Sequence, residues 1–383
     1  MTKLTFKKDE LLKALDYCSS CVEKKHTMVV LTSVLFSFKD RECTLSATNL
    51  EITVLAKVNL EESVEEGKIA VPARSIHDIC RLSKAENIIF KYNESNNVLD
   101  ITADKSEYKV PCFNPSDFPE ISDTSKEYKP VKISRLISSY KKVQFSMTEN
   151  YMTKAYSGVL IIKVKNDDGT ETVDMVTTDI HRLSVLMLKN FNMDIPEFES
   201  GIVIPGRNFA EITKIFADVE DAYVAIDDEK MFIKNENVIF ISRLFKNEFP
   251  KHRPIIGTYE VLNGKEFAVA NRKELIEAIK RVVIVLNSED KMWVSKYFFN
   301  GNVLKLTANS NTGGTSTDEI VIEKGFSTER SVAVNAKYFL DVINIIDDNN
   351  VNVIVEEAAN KPMTLKEETE EFFYVHMIMP LRI

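Results

Sequence analysis

Two places in the sequence combine residue types and spacings that can do chemistry. Cys18 and Cys21 form a C-x-x-C, and Thr178, Asp179 and His181 stand together in TTDIHRL. A C-x-x-C pair does redox work after a thioredoxin-like strand, and holds zinc when a second close pair is present. The chain offers neither, and two small residues on a helix account for the pair. An Asp–His pair can move a proton, but no nucleophile motif such as G-x-S-x-G accompanies it. The five histidines, at 26, 77, 181, 252 and 376, show no H-x-x-x-H spacing, so no metal is expected. NSNTGGTSTDE (309–319) has a glycine pair but no following GK[ST]; it reads as a hairpin loop and not as a phosphate cradle. No catalytic residue and no cofactor is expected.

The elements that carry these residues come from the pattern of the whole chain. Its 383 residues suffice for about two to four domains. Glycine is scarce at 11, which argues against glycine-rich phosphate loops. The start, MTKLTFKKDELLKAL, has charges where a signal peptide needs an apolar core, and no window approaches the ~20 apolar residues of a membrane helix. Five cysteines (18, 21, 43, 80, 112), an odd number without a regular framework, fit a reducing compartment. A cytoplasmic location is expected.

Self-similarity sets the architecture. Stretches beginning KIAVPARSIHDICRL, GIVIPGRNFAEITKI and SVAVNAKYFLDVINI each run from an apolar strand through Pro or Asn into a three-turn helix and then a β-hairpin. The anchors Pro72, Pro205 and Asn335 lie 133 and 130 residues apart, a domain-sized period. The helices show apolar stripes at spacings of three and four, as in Phe209, Ile212 and Phe216. The first half of each unit repeats as well: LTFKKDELLKAL, VKISRLISSYKK and FAVANRKELIEAI each run from strand into helix. Alternating runs with NDDG and NG turns read as antiparallel meanders. The expected class is α+β, with three similar domains at 1–124, 125–255 and 256–383, each made of two strand–helix–strand copies. The apolar ending HMIMPLRI (376–383) takes the place of a terminal strand.

Charge is distributed unevenly. Six expected helical segments, 7–25, 72–84, 131–146, 205–217, 271–286 and 335–346, hold 19 Lys and Arg against 9 Asp and Glu. Their net of +10 inside a chain of net −9 leaves −19 for the remainder. Basic helices within an acidic protein suggest a surface that faces phosphates; the bland alternative is that exposed helix faces simply carry lysines.

Several stretches together resemble the bacterial sliding clamps, the beta subunits of DNA polymerase III. They are TNLEITVLAKV (48–58), VPARSIHDICRL (71–82), FNPSDFPEI (113–121), QFSMTEN (144–150), TTDIHRLSV (177–185), IVIPGRNFAEI (202–212), FPKHRPII (249–256), NAKYFLDVIN (335–344) and IMPLRI (378–383). The resemblance covers nearly the whole chain. It implies the DNA-clamp fold: helices lining a central hole, antiparallel sheets outside, and a head-to-tail homodimer closing the ring. It implies a non-catalytic processivity factor on double-stranded DNA of any sequence. The expected partners are the replicative DNA polymerase, a clamp loader and other proteins carrying a short clamp-binding peptide, with no membrane.

Carried over by motif, the resemblance implies a partner-peptide cleft of Tyr156, Thr178, Ile180, His181, Arg182, Leu183, Pro250, Ile255, Tyr338, Pro362, Met363, Met377, Met379, Pro380, Leu381 and Arg382. His376 and Met377 read equally as strand core or cleft. Ile180 stands where the family usually has glycine, Tyr156 and Ala155 depart from the usual types, and HTMVVLTSVLF replaces a proline-rich turn. Arg74, Lys141, Lys142, Arg207 and Lys280 are expected to face DNA. Tyr108 and Val110 are expected to meet Val285 and Leu286 across paired edge strands at the dimer interface. Two other classes compete: an enzyme on a three-domain scaffold, which would need a cluster of acid, base or metal ligands, and an interaction protein of the same fold that does not encircle DNA, against which the basic helices argue.

Overall fold

The computed structural model describes residues 2–23, 27–148, 154–166, 169–195, 201–246, 249–257, 259–287, 290, 292–358 and 360–382. Lys24, Lys25 and His26, Glu149 and Asn150, the Asp167–Asp168 pair of the NDDG turn, Thr258 and Ile383 lie outside the described residues. The chain forms two compact units, residues 1–135 with 207–244 and residues 136–206 with 245–383.

Six helices of ten to twelve residues appear where the stripes place them: Lys8–Ser19, Ala73–Leu82, Ile133–Val143, Gly206–Ile215, Arg272–Val282 and Ala336–Ile345. Each buries its stripe, for example Leu11, Leu15 and Cys18, or Phe339, Val342 and Ile343. The repeat anchors are helix starts. The Asn335 side chain accepts the Lys337 amide at 3.0 Å, and Asn271 accepts those of Lys273 and Glu274 at 3.1 and 3.2 Å. Such a cap contributes about 1 kcal/mol.

Each unit contains one four-stranded and one larger antiparallel sheet. In the first unit, Thr2–Lys7, Asn87–Asn93, Val98–Ala103 and Ser106–Pro111 pair in that order. The larger sheet there has six strands, and Ile52–Pro72 pairs with Val238–Arg243, from Ala56 opposite Val238 to Ile52 opposite Ser242. In the second unit an eight-stranded sheet includes Glu171–Thr178, Arg182–Lys189 and Phe372–Ile378 as neighbours. Both larger sheets therefore run across the expected repeat boundaries. The NG turn joins Val294–Asn300 to Val303–Asn309, with Gly301 at φ +54°, a backbone region open to glycine.

The first unit centres on Phe6, Phe36 and Phe90, whose rings meet edge to face at 5.1–6.0 Å. The segment leading through the expected boundary at 124 is not a free linker. Phe113, Phe118, Ile121 and Tyr128 pack on the core clusters of this unit, and Lys126 pairs with Asp227 at 3.1 Å. Cys18, Cys21, Cys43 and Cys80 are buried free thiols. Burial pushes Cys21 and Cys80 up to about 12, so they stay protonated and inert near neutral pH.

Candidate partner-peptide cleft

The second unit holds an apolar cavity of about 180 Å³. It is lined by Tyr156, Thr178, Ile180, Arg182, Leu183, Phe249, Pro250, His252, Ile255, Met377 and Met379. Three kinds of chain meet there. Leu183 and Met377 stand opposite each other on two paired strands. Pro250 and Ile255 belong to the connector around the single turn Arg253–Ile256. Met379 belongs to the tail just past the last strand, Phe372–Ile378. Ile180, Ile255 and Met379 are all exposed apolar side chains, so the cavity opens on an aliphatic rim.

The turn before Arg182 is over-determined. Thr178 Oγ1 donates to the Arg182 carbonyl at 2.6 Å and accepts the Ile180 amide at 3.1 Å. Asp179 Oδ1 accepts the amides of His181 and Arg182, each at 3.0 Å. This forces Ile180 to φ +80°, a region that β-branched residues adopt only under strain. The Asp179 carboxylate is occupied by these amides and by Arg182, which does not suit a proton-transfer partner for His181.

Arg182 is a partly buried tie, not a mobile rim charge. Nε donates to Asp179 Oδ2 at 3.0 Å, Nη1 to Asp341 Oδ2 at 2.5 Å, and Nη2 to the Phe145 carbonyl. Its guanidinium lies between the rings of Phe145 and Tyr338, 5.2 and 4.3 Å from their centroids. Tyr338 thus supports the cleft through Arg182 without lining it. His376 is core: its Nδ1 meets Ser184 Oγ at 2.8 Å, and that hydroxyl meets Ser146 Oγ at 2.7 Å. Burial, with Arg182 nearby, holds its pKa well below the usual histidine value.

Of the sixteen residues expected in the cleft, Tyr156, Thr178, Ile180, Arg182, Leu183, Pro250, Ile255, Met377 and Met379 line the cavity. His181 contributes its carbonyl, which accepts the Met379 amide at 2.9 Å. Met363, wholly buried in its strand, and Pro362 just before it do not line the cavity. Pro380, Leu381 and Arg382 run on past it, where the Leu381 amide donates to the Ala333 carbonyl at 2.8 Å. Phe249 and His252 also line the cavity. Both belong to the same motif, FPKHRPII, as Pro250 and Ile255.

The other expected surfaces divide. Arg74, Lys141, Arg207 and Lys280 are exposed on their helices. Lys142 is not: its side chain, 14% exposed, pairs with Asp347 at 2.8 Å and Glu367 at 3.1 Å and donates to the Ile345 carbonyl. It closes the end of the helix Ala336–Ile345 and has no face left for a phosphate. Tyr108 and Val110 do stand on the outer strand of their sheet, with Tyr108 exposed and Val110 buried. Val285 ends a 3-10 turn, Val283–Val285, and Leu286 is buried, because the apolar run continues the helix instead of starting a strand. One edge strand of the four-stranded sheet of the second unit is Thr315–Val321, with Val321 74% exposed, and Ile284 in the middle of the 3-10 turn is 80% exposed. Among the described residues no group of His, Cys, Asp and Glu could hold a metal ion, and no helix is long and apolar enough to cross a membrane.

Comparison with known proteins agrees with the fold throughout. Residues 2–122, 130–251 and 262–382 match the N-terminal, central and C-terminal domains of the DNA polymerase III beta subunit. The beta sliding clamp of Pseudomonas aeruginosa is 24% identical over 99% of both chains, and that of Escherichia coli K12 is 25% identical over 100% of both. Solved sliding clamps from Pseudomonas aeruginosa and Bacillus subtilis superpose with TM-scores of 0.86 at 22% and 21% identity, covering all of this chain and 100% and 99% of theirs; that likeness concerns the fold. Three successive domain matches spanning almost the full length establish that this chain belongs to the DNA polymerase III beta subunit family, the beta sliding clamps.

Proposed function

We propose that the chain works as a sliding clamp: two copies close head to tail into a ring around duplex DNA and tether the replicative polymerase. In this reading the domains are 1–124, 125–255 and 256–383, the helices face the hole, and the sheets form the rim. The family membership carries the proposal. The exposed Arg74, Lys141, Arg207 and Lys280 support it, because a ring that holds DNA topologically needs only a sequence-neutral positive field. The ring closes between the edge strand that carries Tyr108 and the one that carries Val321, which would pair two otherwise open edges. The chain performs no chemistry of its own, takes no cofactor, and acts in the cytoplasm with a loader that opens it.

Partner proteins insert a short peptide into the cavity. An engineered cavity of about 150 Å³ holds a benzene ring, so a space of about 180 Å³ suits one Leu or Phe anchor, with the rest of the peptide on the aliphatic rim. The decisive experiment loads the chain onto nicked circular DNA with a clamp loader and ATP, then linearises the circle. The expected result is retention on the circle and release from the linear form. Equal retention on both, or on neither, would sink the encircling model. For the cleft, anisotropy of a labelled Gln-Leu-x-Leu-Phe peptide should saturate with the full chain and be lost when 379–383 are removed from a still-folded protein.

A further inference from the structure

One wall of the cavity is a connector and not a strand. Phe249, Pro250, His252 and Ile255 come from segment 249–257, whose regular structure is the single turn Arg253–Ile256. The opposite wall needs no special support, since Leu183 and Met377 sit on strands paired over seven positions. A connector wall must be held by something else. Phe249 and Ile256 are buried in the core beneath it, which anchors the start of the segment and the last residue of the turn but not Arg253 at the turn's beginning.

The turn is held by a carboxylate. Asp174 lies on the strand Glu171–Thr178 and is completely buried, with the apolar Val173 and Met175 on either side. Its Oδ1 accepts from Thr172 Oγ1 at 2.8 Å. Its Oδ2 accepts from His252 Nε2 and from Arg253 Nε, each at 2.9 Å, and forms an ion pair with Arg253 Nη2 at 2.7 Å. Asp174, Thr172 and Arg253 do not line the cavity; only His252 does. The carboxylate therefore acts on the cleft through the connector.

A buried carboxylate is strongly unfavourable unless it is paired and hydrogen-bonded. Any excursion of segment 249–257 away from the sheet strands this charge, so states with an open wall are penalised. A wall formed in advance spares an incoming peptide the cost of ordering it. We propose that Asp174 is a positioning residue for the cleft: its carboxylate locks His252 and Arg253 and so keeps the connector wall ready for an apolar anchor. This rests on reading the cavity as a partner-peptide cleft.

The test is stopped-flow anisotropy of the labelled Gln-Leu-x-Leu-Phe peptide with the full chain and with Asp174→Asn. If only molecules with a formed wall bind, the association rate falls with the competent fraction, by about tenfold, while the dissociation rate stays within about twofold. Arg253→Gln, at the partly exposed end of the lock, should move the association rate in the same direction by a smaller factor and decides the matter if Asp174→Asn does not fold. Unchanged association in the variants overturns the positioning role, as does a loss carried by faster dissociation. A wild-type chain that binds no peptide overturns the cleft reading instead, so the two failures are distinguishable.

Discussion

The turns 48–52 and 178–182 share the same four hydrogen bonds from their first two side chains, yet one is structural and the other borders the cleft. In the first, Thr48 Oγ1 donates to the Ile52 carbonyl at 2.8 Å and accepts the Leu50 amide at 3.0 Å. Asn49 Oδ1 accepts the amides of Glu51 and Ile52 at 3.1 and 2.8 Å. Thr178 and Asp179 repeat this set, and the middle residue is left-handed in both, Leu50 at φ +74° and Ile180 at +80°. The difference lies in the fifth residue. Ile52 is buried in its sheet, whereas Arg182 ties Asp179, Asp341 and Phe145 together beside the cavity. The turn is scaffold, and the site depends on what is attached to it.

The largest effect should come from separating these two fifth residues. Arg182→Ala removes charged hydrogen bonds from a nearly buried site and should destabilise the second unit by about 2–3 kcal/mol, with peptide binding abolished. Ile52→Ala should cost the first unit about 2–5 kcal/mol through the cavity it leaves, with binding by the still-folded protein unchanged. Thermal melts and peptide titration of both variants check this. If Ile52→Ala also abolished binding, the two turns would not be separable in function. Next come the hydroxyls. Thr48→Val and Thr178→Val each remove one donor and one acceptor from a buried position and should cost similar amounts, about 1–2 kcal/mol, while only Thr178→Val weakens the peptide. Unequal costs would show that the two turns are not equivalent supports.

Much of this was legible in the sequence. Stripes at three and four gave the six helices, and the Pro and Asn anchors marked the starts of three of them, because both signals are local. The NG turn was local too, as was the terminal strand, which takes in only His376, Met377 and Ile378 of HMIMPLRI. What was not legible depends on distant partners. Lys141 and Lys142 are neighbours in one basic helix, but Lys142 is enclosed by Asp347 and Glu367, some two hundred residues away in sequence. Alternation identified Val238–Arg243 and Ile52–Pro72 as strands but not as each other's neighbours, since a period of two fixes faces and not partners. Val285 and Leu286 failed for a related reason: an apolar run after a helix reads equally as another turn or a new strand. In the cleft, TTDIHRL exposed the turn and Arg182, but the support of Arg182 by Tyr338 and Asp341 came only from the fold.

A moderate effect should separate the units by pH. His376 is kept neutral by burial in the second unit, whereas His77, in the first, is exposed enough to pair with Asp16 at 2.8 Å at the surface. The folded-state pKa of His376 is depressed, so below about 6.5 the unfolded chain takes up a proton that the folded one does not. Stability should therefore be unaffected by this group above pH 7 and should fall by up to about 1.4 kcal/mol per pH unit below 6.5. Hydrogen exchange at strands Arg182–Lys189 and Phe372–Ile378 should accelerate more than at Ile52–Pro72 as pH drops from 7 to 5.5, after correction for intrinsic rates. His376→Asn, which can still meet Ser184 but does not titrate, should remove the difference. Its persistence in that variant would assign the sensitivity to another group.

The smallest effect bears on the residue the two turns share. A left-handed backbone costs an L-residue roughly 1–2 kcal/mol, and glycine loses about 0.5–1 kcal/mol of that relief to its greater freedom when unfolded. Leu50→Gly should be close to neutral. Ile180→Gly should stabilise by about 0.5–1 kcal/mol, because a β-branched side chain suffers more in this region and Ile180, 63% exposed, gives up little buried surface. The same change removes one of the three aliphatic residues on the rim. A gain in melting temperature together with weaker peptide binding would mean that the strain is kept for the rim contact. A gain in both would mean that Ile180 narrows the cleft, and no gain in stability would mean that the bonds of Thr178 and Asp179 already absorb the strain.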